Sequence, residues 1–268
     1  MLKKCLKHEW KATWKSMAGI NGAALILGLF GGLGIIGLLN NMRIPDVIVV
    51  LYTFAYVVIL IASAIVTYLL MASRYYKSIF TDEGYLTNTL PLTSDQKILS
   101  KFLIFFFWSI INIICIFGSI ALLIAPMLSE ALEQTNGTAD ILMRELEFAF
   151  TSIAHELGFA NLPMMVIFLI AISLISLMYT IMMIYTCISL GNLFSSHKIL
   201  ATVLIYFGLN MILQAAISGI TVIDVLLRAE SSAVFSLTML IYALIELALS
   251  VVFYFINRFI IDKKLNLQ

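Results

Sequence analysis

The feature of this sequence that most restricts its fold is a series of long stretches without lysine, arginine, aspartate or glutamate. They occupy residues 16–42, 47–73, 102–129, 157–196 and 199–223, and a sixth, 231–257, is interrupted only by Glu246. Bilayer hydrocarbon is roughly 30 Å thick, so a helix of about 20 apolar residues crosses it. Only helices and closed barrels satisfy their backbone polar groups in lipid, and these stretches are too long for barrel strands. The sequence therefore predicts an all-α polytopic membrane protein.

Proline and glycine help to set the limits of the spans. The stretch 157–196 is too long for one span, but Pro163 near its start and Gly191 near its end shorten it to about 163–190. We expect the whole chain, 1–268, to form a single transmembrane domain. Its six predicted spans are 17–39, 47–72, 102–126, 163–190, 199–221 and 233–256.

The positions of the basic residues predict the orientation, because lysine and arginine concentrate in the cytoplasmic loops of membrane proteins. If the N-terminus is cytoplasmic, all but three of the 16 lysines and arginines lie on the cytoplasmic side; the exceptions are Arg43, Arg144 and Arg228. We therefore expect a multi-pass protein of the cell membrane with both termini in the cytoplasm. A hydrophobic content of 62% and a net charge of +1 fit lipid, not nucleic acid, as the surrounding partner.

The segment before the first span has the pattern of an amphipathic interfacial helix. Leu2, Leu6, Thr13, Trp14 and Met17 fall near one face, and lysines occupy the other. Two interpretations are open. The segment is either a simple positively charged anchor or an elbow helix that lies beside the bundle.

The outer loop, 127–162, is acidic and also contains a helical pattern. Its apolar residues Leu142, Leu146, Phe150, Ile153 and Leu157 are three or four positions apart. We expect an amphipathic helix that lies on the outer membrane surface or caps the exit of the bundle.

The cytoplasmic loop between the second and third spans, 73–101, predicts a helix, a break and a second helix. Pro91 ends whatever helix precedes it. Thr93 and Gln96 have the spacing of a capping box, so a new helix should begin at about residue 94. Large apolar side chains such as Tyr85 and Leu86 are not expected in a loop that contacts only water. We therefore expect a buried contact, either with the protein's own bundle or with a soluble partner.

One motif in this loop resembles a known family. The sequence Asp-Glu-Gly-Tyr-Leu-Thr at 82–87, followed by Thr-Leu-Pro at 89–91, is similar to the loop between spans two and three of ABC-2 type permeases from Gram-positive bacteria. The second inner loop, 191–198, is also similar to that family. Six spans, cytoplasmic termini and an amphipathic start agree over essentially the whole chain. The sequence departs from the family pattern at Asn88, where an aromatic or aliphatic residue is usual, and at Asn192, where glutamine is common.

The resemblance implies a permease subunit of an ATP-driven exporter that moves an amphipathic substrate outward, such as a peptide or a lipid-like or drug-like molecule. Such permeases form homo- or heterodimers and bind separate cytoplasmic ATPase subunits, which hold ATP and magnesium. This sequence has no G-x-x-x-x-G-K-[ST] phosphate loop, so we expect no catalytic site, metal or cofactor of its own. The residues expected to contact the ATPase are Asp82, Glu83, Gly84, Tyr85, Leu86 and Leu90 in a coupling helix, and Phe194 and His197 in the second inner loop.

Two of the predicted spans carry polar stripes. The sixth span has Ser236, Ala243, Glu246, Ser250 and Asn257 on one face, and the fifth has Thr202, Tyr206, Asn210, Gln214, Ser218 and Thr221. A charged carboxylate at mid-span costs roughly 2.5–3.5 kcal/mol on insertion scales, so Glu246 should face protein or water. Because the outer turn between these spans is tight, Asn210 lies at about the depth of Glu246. We predict that the two stripes face each other or a shared dimer cavity.

Several interpretations remain open at this point. Asn210, Gln214 and Glu246 are candidates for the transport pathway, but Glu246 can equally make a structural hydrogen bond. Gly28 and Gly32 form a G-x-x-x-G pair that suits either a dimer interface or internal packing. The alternative functions are a proton-coupled secondary transporter that uses Glu246, and a non-transporting immunity or sensor subunit whose inner loop binds a soluble partner.

Overall fold

The computed structural model describes residues 2–81, 84, 93–134, 139–194, 197–227 and 233–263. The helices with described bounds are α1 (Leu2–Leu39), α2 (Asp46–Phe80), α3 (Ser94–Gln134), α4 (Ala139–Glu156), α5 (Leu162–Gly191), α6 (Lys198–Leu227) and α7 (Ala233–Lys263). All of these helices except α4 contain a segment long and apolar enough to cross a membrane. The prediction of an all-α chain with six candidate spans is confirmed.

The helix ends follow the local signals in the sequence. Thr93 caps α3, because its Oγ1 accepts a hydrogen bond from the Gln96 backbone N–H at 3.3 Å. Asn161 caps α5 in the same way, accepting from the Met164 N–H at 3.0 Å, and Pro163 occupies the first turn. The helices therefore begin close to the positions that the capping patterns predict.

By the density of its contacts the chain divides into two compact units. Unit 1 comprises Met1–Ser73 and Leu103–Leu142, and unit 2 comprises Arg74–Phe102 and Met143–Gln268. Helices α2 and α3 each contribute residues to both units. The units are described separately below.

In unit 1, α1 packs alongside α3 with the two chains running in the same direction. The contacts advance together along both helices: Asn112 donates to Asn21 at 2.8 Å, and further on Ser119 donates to the Ala24 carbonyl at 2.7 Å. A parallel arrangement is the one expected of a first and a third span. Gly28 lies so close to Ser119 that a Cβ at this position would collide with the Ser119 carbonyl.

A proline in α3 lies beside a second close contact of the two helices. Pro126 has no N–H, so the Leu122 carbonyl lacks its normal helical donor. Gly32 packs directly against that carbonyl oxygen, which would lie only 2.5 Å from a Cβ added to Gly32. The structure thus assigns the G-x-x-x-G pair of α1 to packing within the chain.

The N-terminal segment and the first span form one uninterrupted helix, α1. Trp10 stacks on Trp108 with ring centroids 4.7 Å apart, and the Trp108 indole N–H donates to Thr13 Oγ1 at 3.1 Å. Thr13 and Met17 are buried as the amphipathic pattern requires, whereas Trp14 is exposed. The segment is therefore packed against α3 along part of its length.

In unit 2, α5 and α7 pack in parallel, and α6 returns along α5. The turn between α5 and α6 is tight at Gly191, because a Cβ there would collide with Thr202 at the start of α6. Any larger residue at Gly191 would force the two helices apart.

The helix predicted in the loop 127–162 is present as α4. Phe150 and Ile153 are exposed, and the side chains of Leu142 and Leu146 lie outside the described residues. Ala154 and Phe159 form a small buried cluster with Met165 of α5, against which Leu157 packs. The chain turns into this cluster at Gly158, which has a φ of 84°, a conformation that favours glycine.

Candidate functional site

Most of the predicted coupling residues, namely Asp82, Glu83, Tyr85, Leu86 and Leu90, lie outside the described residues. Gly84 is described and is buried. Its N–H donates to the Thr81 carbonyl at 2.7 Å, and a Cβ at this position would collide with the Ile79 carbonyl. The close approach to the end of α2 explains why this position is glycine.

The residues before this segment are bonded to the interior of unit 2. Tyr75, near the end of α2, is 1% exposed and stacks on Tyr185 of α5 with ring centroids 3.8 Å apart. Its hydroxyl lies 3.2 Å from Ser189 Oγ and 3.4 Å from Asn257 Oδ1, so it can donate to either. Tyr75 therefore connects the last turns of α2 to both α5 and α7.

Asn257 is the centre of this arrangement and is completely buried. Its Oδ1 accepts from Ser189 at 2.7 Å, and its Nδ2 donates to Thr186 Oγ1 and to the Phe253 carbonyl, each at 2.9 Å. We call Tyr75, Thr186, Ser189 and Asn257 the buried polar cluster. Because polar groups in an apolar interior are costly to leave unpaired, these helices are expected to move together.

The residues after the same segment are bonded to α7 at the protein surface. Asp95, in the first turn of α3, accepts from the Tyr254 hydroxyl at 2.5 Å and lies 3.3 Å from Arg258 Nε. Arg258 is also 3.7 Å from Asp262, and the Ser94 hydroxyl donates to Asp262. We call these five residues the surface charge cluster. Its ion-paired side chains are 40–46% exposed, so each pair contributes little energy, but together they define where α3 begins.

The two clusters lie on either side of the connection between α2 and α3, and both include residues of α7. Tyr75 on one side and Asp95 on the other are both bonded to the last part of α7, at Asn257 and at Tyr254 with Arg258. The residues on either side of the connection are therefore attached to the same part of α7, and Ser189 joins Tyr75 to α5.

The second inner loop presents an apolar surface next to the α5–α6 turn. Phe194 is 54% exposed, and its neighbour Leu193 is also exposed. His197 is exposed and has a φ of 56°, a left-handed conformation that reverses the chain before α6. Phe194 and His197 are therefore accessible for contact.

The candidate pathway residues do not form one group. Glu246 is 7% exposed and accepts a hydrogen bond from the Ser176 hydroxyl of α5 at 2.5 Å, so it faces protein as expected for a mid-span carboxylate. Asn210 is bonded within its own helix, donating to the Tyr206 carbonyl at 2.9 Å, and Gln214 is exposed. Among the described residues, the hydrogen bonds of Glu246 and Asn257 connect the sixth-span stripe to the fourth span, a partner that the sequence analysis did not consider.

The two polar stripes differ in how deeply their side chains are buried. On α7, Ala243, Glu246, Ser250 and Asn257 are all buried, so this stripe is the packed face of the helix. On α6, Gln214 and Ser218 are exposed.

Sequence reasoning missed the part of the buried polar cluster that lies outside α7. The sequence analysis makes no prediction for Tyr75, Thr186 or Ser189. The last two are three positions apart in a span that also contains Ser173, Ser176 and Thr180, and that spacing places them on one face. A short polar pair of this kind is the signal that could have indicated a hydrogen-bonding face.

No protein-family model, curated protein or solved structure matches this chain. The function is therefore argued from the geometry and from the sequence motif.

Proposed function

We propose that this chain is the membrane-spanning permease subunit of an ATP-driven exporter of the ABC-2 type. The segment around residues 82–90 would contact a separate cytoplasmic ATPase subunit, and a second permease chain would complete the assembly. The observation that supports this most is that both flanks of the segment are bonded to α7, at Asn257 and at Arg258. A coupling segment needs such attachments, because a push from a partner must reach the spans.

The proposed mechanism uses the two clusters as rigid attachments. Closure of the ATPase dimer on ATP would displace the segment, and Tyr75 and Asp95 would pass that displacement to α7. Hydrogen bonds between membrane helices contribute about 0.6 kcal/mol each on average and at most about 1.7 kcal/mol. Several bonds that share Asn257 therefore resist separation better than one, so α2, α5 and α7 would tilt together and open a path for an amphipathic substrate.

The second inner loop supports the same proposal. An exposed Phe194 is poorly placed for lipid or for water, since it follows α5 at a turn and lies close in sequence to Lys198, the first residue of α6. An apolar side chain in such a place suits a contact with a soluble subunit. Phe194 and His197 would then form a second, smaller contact with the ATPase.

Copurification from native membranes tests the partner. The intact chain is expected to bring an ATPase with it, and the triple variant Glu83→Ala, Tyr85→Ala, Leu86→Ala is expected to lose that ATPase. Phe148→Ala is the control, because Phe148 is also a large apolar side chain and is 74% exposed. It belongs to α4, which is predicted to lie on the opposite side of the membrane. An ATPase that stays bound to the triple variant, or that never accompanies the intact chain, contradicts the proposal.

The attachment itself is tested by Tyr75→Phe in the purified complex. This change keeps the ring that stacks on Tyr185 and removes only the hydroxyl that lies near Ser189 and Asn257. ATPase binding should be unchanged, whereas the dependence of ATP hydrolysis on the permease should weaken several-fold. Unchanged coupling would show that the buried polar cluster has a purely structural role.

One observation favours a second candidate function, proton-coupled secondary transport. Glu246 is a buried carboxylate in the middle of α7, and Ser176 is its hydrogen-bond donor. Protein in liposomes would then respond to an imposed pH gradient without any ATPase, and Glu246→Gln would abolish the response. Gln keeps an oxygen that accepts from Ser176, so folding should be intact. A partner that binds without any substrate movement would instead indicate an immunity or sensor subunit.

A further inference from the structure

Unit 1 contains an apolar groove between α1 and α2, with a volume of about 300 Å³. Its lining runs from Phe30 to Leu38 on α1 and from Ile48 to Tyr56 on α2. We call it the α1–α2 groove. Helix pairs normally pack without voids of this size, so an occupant is expected.

One glycine of α1, Gly34, leaves space at the groove. Gly31 and Gly34 both line it. A Cβ added at Gly34 would find no other atom within 4 Å, so the position borders open space. Here a glycine leaves room for something outside the chain, in contrast to Gly28, which is in contact with α3.

The hydroxyl groups that line the groove are already engaged with the protein. Tyr52 donates to the Leu27 carbonyl, and Thr53 donates to the Val49 carbonyl at 2.9 Å. Tyr56 lies 3.0 Å from Ser119 Oγ and donates to it, because the Ser119 proton is used by the Ala24 carbonyl. The groove therefore presents an apolar surface to a bound molecule, and such a surface suits a hydrocarbon chain.

The length of the groove matches one leaflet. Phe30 and Leu38 are eight positions apart, which is roughly 12 Å of helix at 1.5 Å per residue. The hydrocarbon of one leaflet is about half of the roughly 30 Å of the whole bilayer. An extended acyl chain that enters from the lipid would thus be contacted along most of its depth.

A basic residue stands next in sequence to the lining of the groove. Arg43 is exposed and immediately precedes Ile44, a lining residue, in the short connection between α1 and α2. A guanidinium group binds phosphate through paired, charge-assisted hydrogen bonds. We propose that the α1–α2 groove binds one acyl chain of a membrane phospholipid and that Arg43 binds the phosphate of the same lipid.

Photolabelling tests the acyl-chain part with the full chain in phosphatidylglycerol vesicles that contain a phospholipid with a diazirine on one acyl chain. Peptides covering 30–38 and 44–56 should be labelled. Gly34→Leu should fill the groove and reduce this labelling about tenfold, the factor that corresponds to roughly 1.4 kcal/mol of binding free energy. Gly19→Leu is the matched control: its Cβ also finds nothing within 4 Å, but it does not line the groove.

The comparison of these two variants decides the proposal. Neither substitution meets a neighbouring atom at its Cβ, so both proteins should fold, and their melting temperatures check this. Equal labelling of the groove peptides in both variants overturns the proposal. So does a change in the fraction of dimer in Gly34→Leu with wild-type lipid labelling, because a second copy of the chain would then be the occupant.

The headgroup part is tested with Arg43→Gln and two probes that carry the same diazirine chain, a phospholipid and a diacylglycerol. The variant should lose labelling by the phospholipid several-fold and keep labelling by the diacylglycerol, which has no phosphate. Equal behaviour of the two probes overturns the assignment of Arg43. Neither experiment needs an ATPase or a transported substrate, so its outcome is independent of the proposed export function.

Discussion

In unit 1 the helices α1 and α3 meet at glycines, whereas in unit 2 the helices α5 and α7 meet at hydrogen-bonded side chains. Gly28 and Gly32 bring the first pair so close that a Cβ at either position would collide with a backbone carbonyl of α3. The polar contacts of this unit, such as Asn21 with Asn112 and Ser119 with the Ala24 carbonyl, are spaced along the helices. In unit 2, Asn257 bonds to several partners at once.

The difference shows two ways to join helices in lipid, where the hydrophobic effect contributes little to helix association. Lipid tails are as apolar as leucine, so helices in a membrane associate through close packing and hydrogen bonds. Close packing depends on shape at each position and is sensitive to added volume. A shared hydrogen-bond cluster is sensitive to the loss of its central residue. Different substitutions should therefore destabilise the two units.

The largest expected effect is at the glycine contact. Gly28→Leu would push a side chain into the Ser119 backbone and should cost about 3 kcal/mol of unfolding free energy, at the upper end of the usual range for overpacking. Gly19→Leu, on the same helix with open space at its Cβ, should cost little. Denaturation by SDS in mixed micelles measures both. Equal stability of the two variants would show that the close approach of α1 and α3 is not essential to unit 1.

A somewhat smaller effect is expected at the centre of the buried polar cluster. Asn257→Leu removes hydrogen bonds to Ser189 and Thr186 and leaves their groups without these partners, which should cost about 2 kcal/mol. The control is Asn210→Leu, the same chemical change at a residue bonded only within its own helix among the described contacts. The same denaturation assay compares them. If Asn210→Leu proves as costly, the connected cluster is not what distinguishes unit 2.

The smallest effect is expected in the surface charge cluster. The double-mutant cycle of Asp95→Asn and Arg258→Gln should give a coupling energy of about 0.5 kcal/mol, because both side chains are close to half exposed. Raising the salt concentration should reduce that coupling further. A coupling well above 1 kcal/mol, unaffected by salt, would mean that this pair is shielded from solvent and stabilises unit 2 as strongly as the buried polar cluster.

Much of the secondary structure was predictable, because its signals are local. Six long apolar stretches require helices in lipid, and Thr93 and Asn161 cap helices through atoms only three residues away. The buried face of α7 was also predictable, since Glu246 and Asn257 must avoid hydrocarbon. These conclusions depend on spacing along one helix and on the cost of exposing polar groups to lipid.

The partners across helices were not predictable in the same way. The prediction set the stripe of Glu246 against the fifth span or a shared dimer cavity, and no local signal indicated that its donor is Ser176 on the fourth span. On α4, the 3.6-residue pattern predicted an apolar face that lies on the membrane surface or caps the bundle; in the structure Phe150 is exposed, and the chain buries Phe159 beyond the helix end. A helical pattern shows that a face is apolar, and it does not show whether lipid or protein covers it.

The amino-acid sequence by itself determined that this chain is helical, where most helices begin, and which residues of the last span avoid lipid. Those properties follow from solvation and from bonds within a few residues. Only the tertiary structure decided that Gly28 contacts Ser119 while Gly34 borders an open groove, and that Tyr75 meets Asn257. These outcomes depend on which helices become neighbours and at what register, and residues more than 90 or 180 positions apart carry no local signal of each other.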